Sequence, residues 1–83
     1  MSLAIASAPL SAAQARAASI GYLARAYTGK RLPLQVLLSA AGHYIGTADL
    51  EGPVSRESVE YFRSQQAADL ALATGRWQQR THP

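Results

Sequence analysis

Helix-stopping residues divide this chain before any other signal does. Gly29 closes one helical pattern, Pro33 forbids its continuation and biases Leu32 towards an extended backbone, and Gly75 stops a second, alanine-rich pattern. Between Pro33 and Gly75 lie an alternating apolar run, Leu34-Gln35-Val36-Leu37-Leu38, a turn centred on Gly42, and the run Tyr44-Ile45-Gly46-Thr47. Helix, strands and helix in that order, within 83 residues, read as one small α+β domain.

A chain of this length buries only about 60–65% of the surface its unfolded form exposes, so its stability margin is thin. The usual remedies are disulfides, a structural metal or oligomerisation. With no cysteine the first is impossible and thiolate zinc sites go with it, which leaves oligomerisation. The hydrophobic fraction is 48%, but much of it is alanine, which buries little area per residue. The expected core therefore rests on a few large side chains: Ile20, Leu23, Leu34, Val36, Leu38, Ile45, Leu70, Leu72 and Trp77, with Tyr27, Tyr44, Tyr61 and Phe62 at its rim.

The opening Met1-Ser2-Leu3-Ala4-Ile5-Ala6-Ser7-Ala8 lacks the basic start of a signal peptide, and no stretch approaches the roughly 20 apolar residues of a membrane span. The expected organisation is a flexible arm over 1–10, one domain over 11–80 and a short tail over 81–83, in the cytoplasm and without membrane contact.

Ser11 with Gln14 three residues on forms a capping-box pair, which starts a helix near Ala12. Ala13, Ala17, Ile20, Leu23, Ala24 and Tyr27 then make one apolar stripe as far as Gly29. Gly21 weakens that helix by about 1 kcal/mol relative to Ala, and close packing against the sheet is its expected purpose. In the first strand Leu34, Val36 and Leu38 share one side, Gln35, Leu37 and Ser39 the other. Ala40-Ala41-Gly42-His43 supplies the hairpin, and the return strand, Tyr44 to Asp49, ends at a Glu51-Gly52-Pro53 turn.

Two readings of residues 55–74 stand. In one, Val59 and Tyr61 belong to a third strand and Ser64 caps a helix over Gln65 to Thr74; in the other, Ser55 caps one long helix. A two-stranded sheet is marginal on its own, which favours the third strand. The resulting order, α-β-β-β-α, is a small antiparallel three-stranded sheet with two helices packed on one face.

That order matches the layout of the double-stranded-RNA-binding domain. That family carries a basic run at the start of its last helix, whereas this chain has Ser64-Gln65-Gln66-Ala67-Ala68-Asp69, so the RNA contacts do not carry over. Gln66-Ala67-Ala68-Asp69-Leu70-Ala71-Leu72 also resembles the alanine-rich helix of antitoxin-type small domains. Residues 33–80, through Tyr44-Ile45-Gly46-Thr47, Gly52-Pro53-Val54-Ser55-Arg56-Glu57-Ser58, Tyr61-Phe62 and Gly75-Arg76-Trp77-Gln78-Gln79-Arg80, resemble a family of short uncharacterised proteobacterial proteins of plasmids or integrated elements. The resemblance implies no activity.

Charge is uneven. Residues 1–33 carry Arg16, Arg25, Lys30 and Arg31 with no acid, residues 34–63 are net acidic, and the net charge is +3. Arg25, Lys30, Arg31, Arg76 and Arg80 are the candidate phosphate contacts, with Tyr22 and Tyr27 available for stacking. The plainer reading of these cations is solvated helix ends that complement the helix dipole.

Ser55-Arg56-Glu57-Ser58 is the one dense polar cluster, and it lacks both a neighbouring histidine and a Gly-x-Ser-x-Gly elbow. Arg56 could hold a carboxylate or phosphate through a bidentate guanidinium; otherwise the cluster caps local backbone groups. His43 and His82 are too isolated to hold a metal. Trp77 either packs on a partner or folds back past Gly75 over the sheet.

The expected function is therefore non-enzymatic: a macromolecular-interaction module, self-associating as a dimer through the sheet face that carries Gln35, Leu37, Ser39, Ile45 and Thr47. Leu37, Ile45, Arg56 and Trp77 are the candidate surface residues. The alternative is a nucleic-acid binder using the five cations. No cofactor and no small-molecule substrate are expected.

Overall fold

Local capping chemistry fixes where the helices begin. In the computed structural model, which describes residues 10–83, the Ser11 side chain accepts from the Gln14 N–H and the Gln14 side chain accepts from the Ser11 N–H. The capping box starts α1, Ala12–Ala17. Ser64 accepts from the Ala67 N–H and starts α3, Gln65–Thr74, which ends at Gly75 in the left-handed conformation. The expected N-terminal arm lies, apart from Leu10, outside the described residues.

The first helical pattern is not one helix. Ser19 takes a left-handed φ of 58°, its N–H donates to the Arg16 carbonyl and the Ile20 N–H to the Ala15 carbonyl, which is a Schellman stop. The chain then restarts at Gly21 as α2, Tyr22–Thr28. Tertiary contacts impose the break. The Leu34 N–H donates to the Ser19 carbonyl and the Gly21 N–H to the Leu32 carbonyl, so the linker between the helices is held to the chain that enters the sheet. A Cβ on Gly21 would collide with the Thr47 methyl and lie 2.7 Å from a Glu57 carboxylate oxygen, so only glycine permits this approach.

The sheet has three antiparallel strands in the order β1, Gln35–Ser39, β2, Gly42–Asp49, and β3, Gly52–Arg56. The β1–β2 turn is two residues, Ala40-Ala41, with Gly42 at a φ of 133° opening the return strand. The register pairs Val36 with Ile45 and Leu38 with His43. Ile45 and Thr47 therefore share a face with Val36, not with Leu37, and both are fully buried. The face expected to be open instead carries Gln35, Leu37, Ser39, Tyr44 and Gly46.

The third strand also differs from expectation. It is Gly52–Arg56, reached through a two-residue turn at Leu50-Glu51, and not the stretch around Val59 and Tyr61. Gly52 and Pro53 mark a turn in sequence, but Pro53 is tolerated because β3 is an edge strand with a bulge opposite Thr47 and Ala48. Beyond β3 the chain leaves the sheet and returns for one bridge, in which His43 and Phe62 exchange both backbone hydrogen bonds.

All three helices gather on the face of Ile45 and Thr47: α3 packs on β1 and β2, α2 lies against β3, and α1 leans on α2. Ile45, Ala71 and Trp77 form the buried cluster, with Leu34, Phe62 and Leu72 against it. Trp77 has folded back past Gly75 and is 6% exposed. Arg16 holds it there: its guanidinium lies 3.8 Å from the ring centroid and donates to the Gly75 and Trp77 carbonyls at 2.6 Å each. Leu38 and Leu70, expected in the core, are 67% and 64% exposed. Alanines at 68 and 71 face the sheet in their place, which brings α3 close and leaves Leu70 on its flank.

Ile45→Ala should lower unfolding stability by about 2–5 kcal/mol in urea titration, as a fully buried β-branched residue at the centre of a small core. Leu50→Ala, at a fully exposed turn, should change it by less than about 0.5 kcal/mol.

Candidate functional site

The polar cluster of Ser55, Glu57 and Ser58 is real, and its partners are distant. Gly21 precedes α2 and has no side chain with which to cap it. Glu57, fully buried just beyond the end of β3, does so: one carboxylate oxygen accepts from the Leu23 N–H at 2.9 Å, the other from the Ala24 N–H at 3.1 Å. Its remaining lone pairs accept from the Gln79 amide at 2.8 Å and the Ser55 hydroxyl at 2.5 Å. The single Ser55 proton goes to Glu57, so Thr47, 2.6 Å away, donates to Ser55. The result is a donor chain, Thr47 to Ser55 to Glu57, that ends on a carboxylate at the positive end of a helix.

Ser58, also fully buried, supplies a missing ladder partner. Its hydroxyl accepts from the Ile45 N–H at 3.0 Å and donates to the Glu60 carbonyl at 2.8 Å, where β3 has left the side of β2. Arg56 donates to the Ser58 and Val59 carbonyls and covers the Tyr61 ring at 4.6 Å. Tyr61 in turn meets Tyr44 edge-on at 6.0 Å. Part of the sheet face that carries Leu37 is thus roofed by this chain's own Tyr61 and Arg56.

The cluster therefore caps backbone groups, some nearby, as Ser58 and Arg56 do at the 58–60 carbonyls, and some across the fold, as Glu57 does on α2 and Ser58 on Ile45. Both serine hydroxyls are bonded to other groups, and neither bonds to His43 or His82. Among the described residues no three metal-binding side chains converge.

The five candidate cations are dispersed. Lys30 pairs with Asp49 at 2.5 Å, and this hydrogen bond, reinforced by their charges, lifts the Lys30 ammonium above its usual range. The same bond, with the Glu51 N–H, holds the Asp49 carboxyl below its own. Arg80 donates to the Arg56 carbonyl, and Arg25 is half-buried with its Nε lacking a partner. Arg31 and Arg76 are exposed. Of the candidate surface residues, Ile45 and Trp77 are in the core and leave that set; Leu37 and Arg56 are half-buried. A hollow of about 290 Å³ opens between α2 and β3, lined mainly by Leu23, Tyr27, Thr28, Val54 and Arg80.

Gln79 and Thr47 belong to the cluster and carry no local sign of it, whereas Gly21, expected to pack closely against the sheet, does so against Thr47. The roles of Gln79 and Thr47 follow from the strand register and from the C-terminal segment, which bridges Ser58 to Gln79. No protein family matches the chain, and no curated protein or solved structure is significantly similar to it.

All four groups around Glu57 are donors, so a carboxamide there would face donors with its own N–H groups. Glu57→Gln should cost about 2–4 kcal/mol by chemical denaturation, more than the loss of one neutral hydrogen bond.

Proposed function

We propose that this protein is a non-enzymatic macromolecular-interaction module that self-associates, acting in the cytoplasm. One observation supports the reading above others. The groups able to do chemistry, Ser55, Glu57 and Ser58, are turned inward and saturated by backbone and neighbouring side chains. What the molecule offers outward includes large apolar side chains, Leu38 on β1 and Leu70 on α3. No helix among the described residues is long and apolar enough to cross a membrane, so a membrane-spanning helix there does not account for these side chains.

A nucleic-acid surface has less support, because Lys30 is neutralised by Asp49 and Arg80 is turned onto a backbone carbonyl. Light scattering coupled to size-exclusion chromatography should give a mass near twice the 8.8 kDa protomer at micromolar to millimolar concentration. A retardation assay with duplex DNA, single-stranded DNA and RNA should give no complex at low salt. A shifted band that weakens steeply as salt rises would favour the nucleic-acid reading instead.

A further inference from the structure

The two edges of the sheet are treated very differently. The β3 edge carries Pro53 and a bulge, α2 lies against it, and the C-terminal segment runs beside its extension. The β1 edge has none of these. Its sequence, Gln35-Val36-Leu37-Leu38-Ser39, contains no charge, no proline and no bulge.

The backbone groups on that edge follow from the register. His43 and Ile45 use their N–H and carbonyl groups on the β3 side, with Phe62, Glu57 and Ser58. Their partners across the ladder, Leu38 and Val36, are therefore non-hydrogen-bonded pairs with β2, and point their own N–H and C=O groups outward. The preceding outward N–H, that of Leu34, is taken by Ser19. Among the described residues nothing pairs with Val36 or Leu38 on that side. Leu38 is 67% exposed at the same place.

We propose that the β1 edge is a homodimer interface, in which β1 of a second copy pairs antiparallel with it to form a continuous six-stranded sheet. This rests on the self-association proposed above and assigns it a surface. A two-fold axis at Leu37 pairs Val36 with Leu38 of the other copy, and its mate likewise, so four backbone hydrogen bonds consume the outward groups of Val36 and Leu38 in both copies. The dyad sets Val36 beside the other copy's Leu38 on the helical face, Leu37 against Leu37 on the opposite face, and Gln35 beside Ser39 at its margin. An uncharged strand meets itself without repulsion. Both α3 helices fall on the same face, either side of the axis.

The absence of cysteine makes this directly testable. Leu37 stands opposite its own copy in a non-hydrogen-bonded pair, where Cα atoms lie about 4.5 Å apart, within disulfide range. Leu37→Cys under mild oxidation should give a covalent dimer in high yield. Gln35→Cys, placed roughly 14 Å from its copy by a rise of about 3.4 Å per residue over four residues, should not. Leu38→Lys should raise the dimer dissociation constant at least tenfold while circular dichroism stays unchanged, and Leu50→Lys should leave it as it is. In the unmodified protein, hydrogen-exchange protection of the Val36 and Leu38 amides should rise with concentration. A wild-type monomer at all concentrations overturns both the edge and the self-association. A wild-type dimer overturns the edge alone if Leu37→Cys does not cross-link, if Leu38→Lys dimerises normally, or if the two amides are protected independently of concentration.

Discussion

A carboxylate placed at the start of a short helix organises this fold. Helix α2 has seven residues, too few to persist alone, and it starts at a glycine that cannot cap it. Glu57 supplies both capping oxygens, and the same side chain draws in Ser55, Thr47 and Gln79. One buried group thus joins α2, the ends of β2 and β3, and the C-terminal segment. Among the described residues no cation forms a salt bridge with it; four donors and the helix end surround the carboxylate. Gly21 is the necessary counterpart, since any side chain there would displace the carboxylate.

Features written in adjacent residues were legible in the sequence. The Ser11–Gln14 box, the Ser64 cap and the left-handed glycines 29 and 75 stand where their local chemistry puts them. So does the α-β-β-β-α order, whereas Trp77, set among both the core and the surface candidates, is placed in the core by the fold alone. What was not legible depends on contacts between distant residues. The helical stripe runs unbroken through Ser19 and Ile20 because nothing in that stretch reports that Leu32 and Leu34 hold its backbone from outside. Gly52-Pro53 reads as a turn because an edge position that dispenses with the proline N–H is a property of the finished sheet. Ile45, expected both in the core and on the open sheet face, belongs to the core alone for the same reason: its face is decided by the register, and a period of two makes that choice all or nothing.

The candidate site shows the same division. Sequence singles out Ser55, Glu57 and Ser58 as dense polar residues and suggests that they cap backbone, but it places their partners nearby. Beside the nearby Glu60 carbonyl, the partners include Leu23, Ala24 and Ile45, far away in sequence. A small domain without disulfides uses buried hydrogen bonding to tie segments that its alanine-rich core holds only weakly. At the exterior, among the described residues, an uncharged strand edge and two leucines stand uncovered.

Amide hydrogen exchange at Leu23 and Ala24 tests this account most directly. The first N–H groups of a seven-residue helix ordinarily exchange with solvent at close to free rates. Here both end on a fully buried carboxylate, so their protection should match that of the Ile45 amide at the centre of the sheet. Exchange as fast as that of the exposed Gln14 amide at the start of α1 would mean that Glu57 does not hold the fold together, and the polar cluster would then be free for another role.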